Sequence, residues 1–166
     1  MSKILIGSDH AGYTLKTAVK EYLQSLKYEV LDLGTTDKSS CHYPDFAAKM
    51  AAVIKPEDHG ILICGSGIGI GIAANKCGLP CATAYNEFTA AEVGRNFQVM
   101  ALGERVVPIE VAKLMIQAFL HPKKWFSDQI ALVLLISLGF KDKFMSKLIL
   151  ACQREENLQA RPFKIE

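Results

Sequence analysis

Five short apolar runs, with a helical stretch fitting between each pair, constrain this chain more than any other feature. Ile4-Leu5-Ile6, Val30-Leu31-Asp32-Leu33, Ile61-Leu62-Ile63-Cys64, Cys81 to Ala84 and Gln98 to Leu102 read as strands. From Ala11 to Leu26 the residues Leu15, Ala18, Val19, Tyr22, Leu23 and Leu26 recur at helical spacing. Pro44 to Ile54 reads as a helix with proline tolerated in its first turn. Gly65 to Lys76 is a glycine-rich turn running into a short helix. Glu87 to Arg95 is helical with Asn86 as its cap, and Pro108 to Leu120 is helical with an apolar side. Parallel strands need such crossovers, so the order predicts a parallel sheet with helices on both faces. The expected fold is a three-layer α/β/α sandwich, Rossmann-like, with five strands. Strands that are almost wholly apolar agree with burial on both sides. The 166 residues, 50% of them hydrophobic, suit one such domain and exclude a disordered chain.

Charge excludes a second class. Residues 1–120 carry 11 basic and 12 acidic residues, net −1, and residues 121–166 carry 8 and 5, net +3. A nucleic-acid binder should show a dense basic face, which this body lacks. His121-Pro122 marks a break, and the expected division is an α/β domain over 1–120 and a helical arm over 121–166. The longest apolar run, Ile130 to Ile136, is far shorter than the roughly 20 residues that cross a bilayer, so no membrane partner is expected. It fits a helix packed against the body or against a partner. Met1-Ser2-Lys3 leads directly into a strand rather than a cleavable leader. The cysteines, at 41, 64, 77, 81 and 152, are odd in number and have no short-spaced metal pattern. A reducing, cytoplasmic setting and no metal are expected.

In open α/β sheets, ligands collect beyond the carboxyl ends of the strands. Three such ends are chemically rich: Ser8-Asp9-His10-Ala11-Gly12, Cys64-Gly65-Ser66-Gly67-Ile68-Gly69-Ile70-Gly71, and the flanks of the fifth strand from Asn96 to Arg105. Tyr43 lies in the loop after the second strand. The glycine segment follows the third strand, so it is not the dinucleotide fingerprint, and no Gly-Lys-Ser/Thr marks a nucleotide phosphate loop. It reads either as a nest of backbone N–H groups for a phosphate or oxyanion, or as a tight turn that needs small residues. Cys64 reads as a thiol favoured as thiolate by a helix amino end, or as an inert core thiol. Asp9 and His10 read as an acid/base or phosphate-binding pair, or as a helix cap. Arg105 reads as a phosphate anchor or a salt-bridge partner. The other four cysteines read as filler.

Taken in order, these segments carry a resemblance. Asp9-His10-Ala11-Gly12, Gly34-Thr35, Tyr43-Pro44-Asp45, Ile63-Cys64-Gly65-Ser66-Gly67-Ile68-Gly69, Ile72-Ala73-Ala74-Asn75-Lys76 and Ala101-Leu102-Gly103-Glu104-Arg105 together resemble the B-type ribose-5-phosphate isomerases. These belong to the ribose/galactose-phosphate isomerase family, and the resemblance covers roughly residues 3–120. It implies a cofactor-free aldose–ketose isomerase of the pentose phosphate type. It implies a homodimer, or a higher oligomer built from it, with active sites shared between chains. Cys64 resembles the base that moves a proton between C2 and C1. Ser66 stands where threonine is usual and should contact the reacting oxygens. The amides of Gly65 to Gly69 resemble the cradle of the enediolate. Asp9 resembles the residue that assists ring opening, His10 a phosphate ligand, and Tyr43 a substrate contact. Asn75 is expected to hold the loop and sugar, and Asn96 and Arg105 to bind substrate.

The chain also departs from the family pattern. A His-Asn pair usually precedes the fifth strand, and the histidine helps open a furanose ring. Here Val93-Gly94-Arg95-Asn96 has no histidine. The usual C-terminal arginines that reach the phosphate are replaced by Lys123-Lys124-Trp125-Phe126 and the apolar run. Lys123, Lys124, Arg154 and Arg161 are the candidate substitutes. The alternatives are an isomerase for a hexose or other sugar phosphate, and a degenerate member that binds without turnover.

Overall fold

The computed structural model describes residues 3–122, and within them the expected architecture is present. Five strands, β1 (Ile4–Ser8), β2 (Val30–Asp32), β3 (His59–Cys64), β4 (Cys81–Thr83) and β5 (Val99–Gly103), alternate with five helices. The helices are α1 (Tyr13–Ser25), α2 (Tyr43–Val53), α3 (Ile68–Lys76), α4 (Glu87–Asn96) and α5 (Ile109–Leu120). All strand pairs are parallel and the sheet order is β2-β1-β3-β5-β4. The predicted arm, with the run Ile130 to Ile136 and the candidate cations Lys123, Lys124, Arg154 and Arg161, lies outside the described residues.

Alternation along the strands builds two cores. Ile4, Ile6, Ile61, Ile63, Met100 and Leu102 face one way and pack with α1, α4 and α5. Leu5, Leu62, Cys64, Val99 and Ala101 face the other way and pack with α2 and α3. A side-chain period of two makes this division unavoidable once helices cover both faces. The three inner strands are almost wholly buried, while β2, at the edge, is only partly so.

Local chemistry sets the element ends. The first helical turn is a 3-10 turn over His10–Gly12 rather than the start of a helix at Ala11. Asp9 causes this by accepting the N–H groups of Ala11 and Gly12 on one carboxylate oxygen, at 3.0 and 3.1 Å. Helix α1 stops without glycine: Lys27 adopts φ 67°. The Tyr28 N–H then reaches back to Leu23 O at 3.1 Å. Asn86 caps α4 as expected, closing a reciprocal box with Thr89. Each parallel strand hands its chain to a helix that returns it to the opposite end of the sheet. The loops after β1, β3 and β5 therefore share one rim, and the residues just before each strand share the other.

Candidate active site

β1 and β3 are neighbours although the chain leaves them in opposite directions, so a crevice opens between their carboxyl ends. β3 ends at Cys64, whose side chain is turned toward the α2/α3 layer and is 5% exposed. The Gly67 N–H donates to Cys64 Sγ at 3.2 Å. Gly67 has φ 81°, the left-handed region, and a Cβ there would lie 2.9 Å from the Leu102 carbonyl carbon. Only glycine turns the chain here from β3 into α3. Thr83 Oγ1 donates to Gly67 O at 3.3 Å and holds the turn from the β4 side.

The nest is partly self-satisfied. Gly67 donates to the Cys64 sulfur, and the Ile68 N–H donates to Ser66 Oγ at 3.3 Å. The amides of Gly65, Ser66 and Gly69 donate to no protein acceptor among the described residues. These three, with the Ser66 hydroxyl proton, are the donors left for an anion, which narrows the expected cradle of Gly65 to Gly69.

Around this nest stand four of the expected residues. Asp9 is 5% exposed and is both a cap and a candidate acid/base group. One of its oxygens takes the two capping N–H groups, and the other has no protein donor among the described residues. His10 Nδ1 accepts the Cys41 backbone N–H at 3.2 Å. A neutral ring that accepts at Nδ1 carries its proton on Nε2, which has no protein acceptor among the described residues. Tyr43 opens α2 and its ring lies on Gly69, where a Cβ would sit 3.1 Å from Cζ. The Arg105 guanidinium lies over Gly65, with Cζ 3.4 Å from where a Cβ would be. Among the described residues Arg105 forms no ion pair.

Two expected residues are not brought to this rim. Asn75 lies in the last turn of α3, eight residues from Gly67, or about 12 Å at 1.5 Å per residue. Its Nδ2 donates to Gly71 O at 2.9 Å and Cys81 O at 2.7 Å, and its Oδ1 accepts the Cys81 N–H at 3.2 Å. That amide ties α3 to the entrance of β4 and does not face the nest. The expectation that it holds the loop and sugar is corrected on this ground. Asn96 ends α4, just before β5, and so also lies at the amino rim, with Nδ2 donating to Glu92 O at 2.8 Å. It does not meet the Cys64 of its own chain. Nor does the stretch before it supply a stand-in for the missing histidine. A side chain at Gly94 would collide with the Phe119 carbonyl of α5, and Arg95 pairs with Glu92.

Three contributors escaped the sequence reading. Cys41, expected to be filler, meets His10 Nδ1 with its backbone N–H at 3.2 Å and its sulfur at 3.8 Å. Glu104 accepts the Leu15 N–H at 2.8 Å and fastens the β5 loop to the start of α1, 89 residues away in sequence. Lys16 is buried beneath α1. By contrast Cys81 is core, as expected, and burial pushes its thiol up to about 12. Among the described residues no three metal-binding side chains cluster, and no helix is long and apolar enough to cross a membrane.

The chain is similar to known proteins over most of the described residues. The family model for ribose/galactose isomerases matches residues 4–129. The chain belongs to the ribose/galactose isomerase family. Ribose-5-phosphate isomerase B of Escherichia coli is 39% identical over 125 residues, covering 72% of this chain and 84% of that protein. The D-erythrulose-4-phosphate isomerase of Pectobacterium atrosepticum is 41% identical over 127 residues, covering 72% and 83%. Among solved structures, ribose-5-phosphate isomerase B of Clostridium thermocellum superposes with a TM-score of 0.68 at 37% identity, covering 84% of this chain and 99% of that one. The Mycoplasma genitalium enzyme with bound ribulose-5-phosphate gives 0.68 at 33% identity, covering 82% and 97%. Membership supports isomerisation of a sugar phosphate as the general activity of this family member.

Proposed function

We propose that the chain interconverts ribose 5-phosphate and ribulose 5-phosphate, with Cys64 as the base. The observation that carries this is the buried Cys64 sulfur at the head of a turn whose Gly65, Ser66 and Gly69 amides are uncommitted, with Asp9, His10 and Arg105 on the same rim. Proton abstraction beside a carbonyl needs a positioned base and a place for negative charge. In the open-chain aldose, Cys64 Sγ takes the proton from C2. The C2–H electron pair forms the C1–C2 double bond and the carbonyl electrons move onto O1. The amides of Gly65, Ser66 and Gly69 hold the resulting enediolate. The proton returns to C1, and the O2 hydroxyl proton passes to O1 by way of the second Asp9 oxygen. The product is the 2-ketose. His10 Nε2–H and Arg105 take the phosphate, for which a planar guanidinium suits two oxygens at once.

The reading includes a homodimer with shared sites. Asn96 lies at the far rim from its own Cys64, so it serves substrate only in a partner's site. Ile68 and Ile72, 51% and 53% exposed on α3, offer such a partner an apolar surface. Monomeric behaviour at micromolar concentration in light scattering would contradict it.

A second reading is isomerisation of a four-carbon sugar phosphate. Gly94 and Arg95 supply no imidazole for ring opening. A tetrose phosphorylated on O4 cannot close a furanose ring, so it needs none. The relative named D-erythrulose-4-phosphate isomerase lends support. Rates and solvent-deuterium incorporation are to be compared for ribose 5-phosphate, erythrulose 4-phosphate and a hexose 6-phosphate. Fastest exchange with the pentose supports the leading reading, and fastest exchange with the tetrulose supports the second. No exchange with any of them leaves a binding protein. Cys64→Ala should lower the exchange rate by about 10²- to 10⁴-fold, the usual worth of a general base, with unchanged circular dichroism.

A further inference from the structure

Lys16 belongs to α1, yet its side chain is only 4% exposed. A buried ammonium is costly unless every donor is met. Here Nζ donates to Asp32 Oδ1 and Oδ2, both at 2.9 Å, and to Thr35 O at 2.8 Å. Three donors find three acceptors. Asp32 ends β2 and is held from other sides too, by Lys20 Nζ and the Gly34 N–H, each at 3.0 Å. Burial pushes the Asp32 carboxyl up, but the bonds from Lys16, Gly34 and Lys20 and the Lys16 charge outweigh it and hold the group below 3.8.

The Lys16 stem also fixes the path of the chain. A Cβ at Gly34 would lie 2.7 Å from Lys16 Cδ and 2.7 Å from Ser8 N, so the chain leaving β2 is laid between Lys16 and the end of β1. The Thr35 N–H then bonds Ser8 O at 3.0 Å. Six residues later the same loop delivers the Cys41 N–H to His10 Nδ1, and after that Tyr43 to Gly69. The loop 33–42 is therefore pinned near its start by a buried ammonium, and its far end orients a ring of the site.

We propose that Lys16 is a positioning residue for this site: by gripping Asp32 and the Thr35 carbonyl, it sets the loop 33–42 that locks the His10 ring and seats Tyr43. A buried ion pair adds little net stability over a packed apolar pair, but it accepts only one geometry. Cys64 and its nest are carried by β3 and α3, and the loop meets them through the Tyr43 ring on Gly69 rather than through a bond to the Cys64 sulfur. Losing Lys16 is therefore felt in substrate capture and not in proton transfer. That kinetic consequence rests on the isomerase reading, whereas the state of the His10 ring does not.

The test is Lys16→Met, which keeps the apolar stem and removes the ammonium. Ring nitrogen NMR of His10 reports the loop directly. The wild-type ring should be held as the Nε2–H form with Nδ1 accepting, and the variant should show a mixture of the two neutral forms. With a turned-over sugar phosphate, KM should rise tenfold or more while kcat stays within threefold. Lys20→Met, which leaves the Lys16 bonds in place, should change neither reading. An unchanged His10 spectrum in folded Lys16→Met overturns the proposal, as does a loss confined to kcat. Should the stranded Asp32 prevent folding, Lys16→Met with Asp32→Leu removes both charges, and the same two readings decide. If the wild type turns over no sugar phosphate, the isomerase reading fails and the His10 spectrum still decides the role of Lys16.

Discussion

The amino rim of the sheet and the nest at its carboxyl rim use the same residue types in opposite ways. At the amino rim, polar side chains spend themselves on the protein. Asp58 accepts the N–H groups of Lys3 and Lys55 at 2.9 and 3.1 Å, Gln98 donates to Lys55 O and Asp58 O, and Asn75 makes three bonds. Around the nest at the carboxyl rim, one site of each group is committed and another is left over, whereas Asp32 on the same rim is fully bonded. One Asp9 oxygen caps a turn, one His10 nitrogen accepts an amide, and the Ser66 oxygen accepts another. The committed atom aims the group and the remaining atom is available to a ligand. A polar residue is thus marked for chemistry by bonding that is half complete, not by its type. Preorganised groups of this kind need little rearrangement when charge develops in the substrate.

Substitutions at the two rims should separate activity from stability. The largest effect is expected from Gly103→Ala at the carboxyl rim. A Cβ there would lie 2.5 Å from the Ser66 carbonyl carbon, and backbone cannot yield as a side-chain end can. The nest must shift, and a displacement near 1 Å costs about 10²-fold in kcat/KM. Retained kcat/KM in Gly103→Ala would break the link between the nest and catalysis. A smaller, purely structural loss is expected from Asn75→Ala at the amino rim. Loss of its bonds across α3 and β4 should lower stability by about 1–3 kcal/mol in denaturant unfolding, with kcat within twofold. A kcat loss of tenfold in the folded protein would return Asn75 to the site.

The smallest effect concerns pH. His59, at the start of β3, is held below its usual 6.5, first by burial and then by the nearby His121, with Asp58 pulling the other way. The unfolded chain therefore takes up this proton at a higher pH than the folded one. The stabilising contribution is complete above 6.5 and is lost as the pH falls through the folded value. The melting temperature should decline on acidification below 6.5, and His59→Leu should flatten that part of the curve. An identical pH profile in His59→Leu would show that the amino rim holds no such group.

Much of this was legible in advance because it is local. The strand–helix alternation, the Asn86 cap, the glycine turn at Gly67 and the Cys64 thiol ending a strand all depend on residues within a few positions of one another. The placement of Asn75 and Asn96 carried a readable signal too. A residue just before a parallel strand must lie at the amino rim, because the preceding helix has crossed the length of the sheet. Motif membership pointed the other way for Asn75, and the topology overrules it. The roles of Cys41, Glu104 and Lys16 had no such signal. Each depends on a contact 31, 89 or 16 residues distant, and two of the three are made through a backbone N–H that any residue but proline possesses.

By itself the sequence determined the fold class, the family, and the residue types at the carboxyl ends of the strands, since hydrophobic periodicity and turn chemistry act over short stretches of chain. Only the tertiary structure decided the order β2-β1-β3-β5-β4. It alone decided which amides of the nest remain uncommitted, and that a buried lysine underlies the loop that holds His10. Those are matters of which atoms meet across the fold and which hydrogen-bonding capacity the meeting consumes, and no local pattern records either.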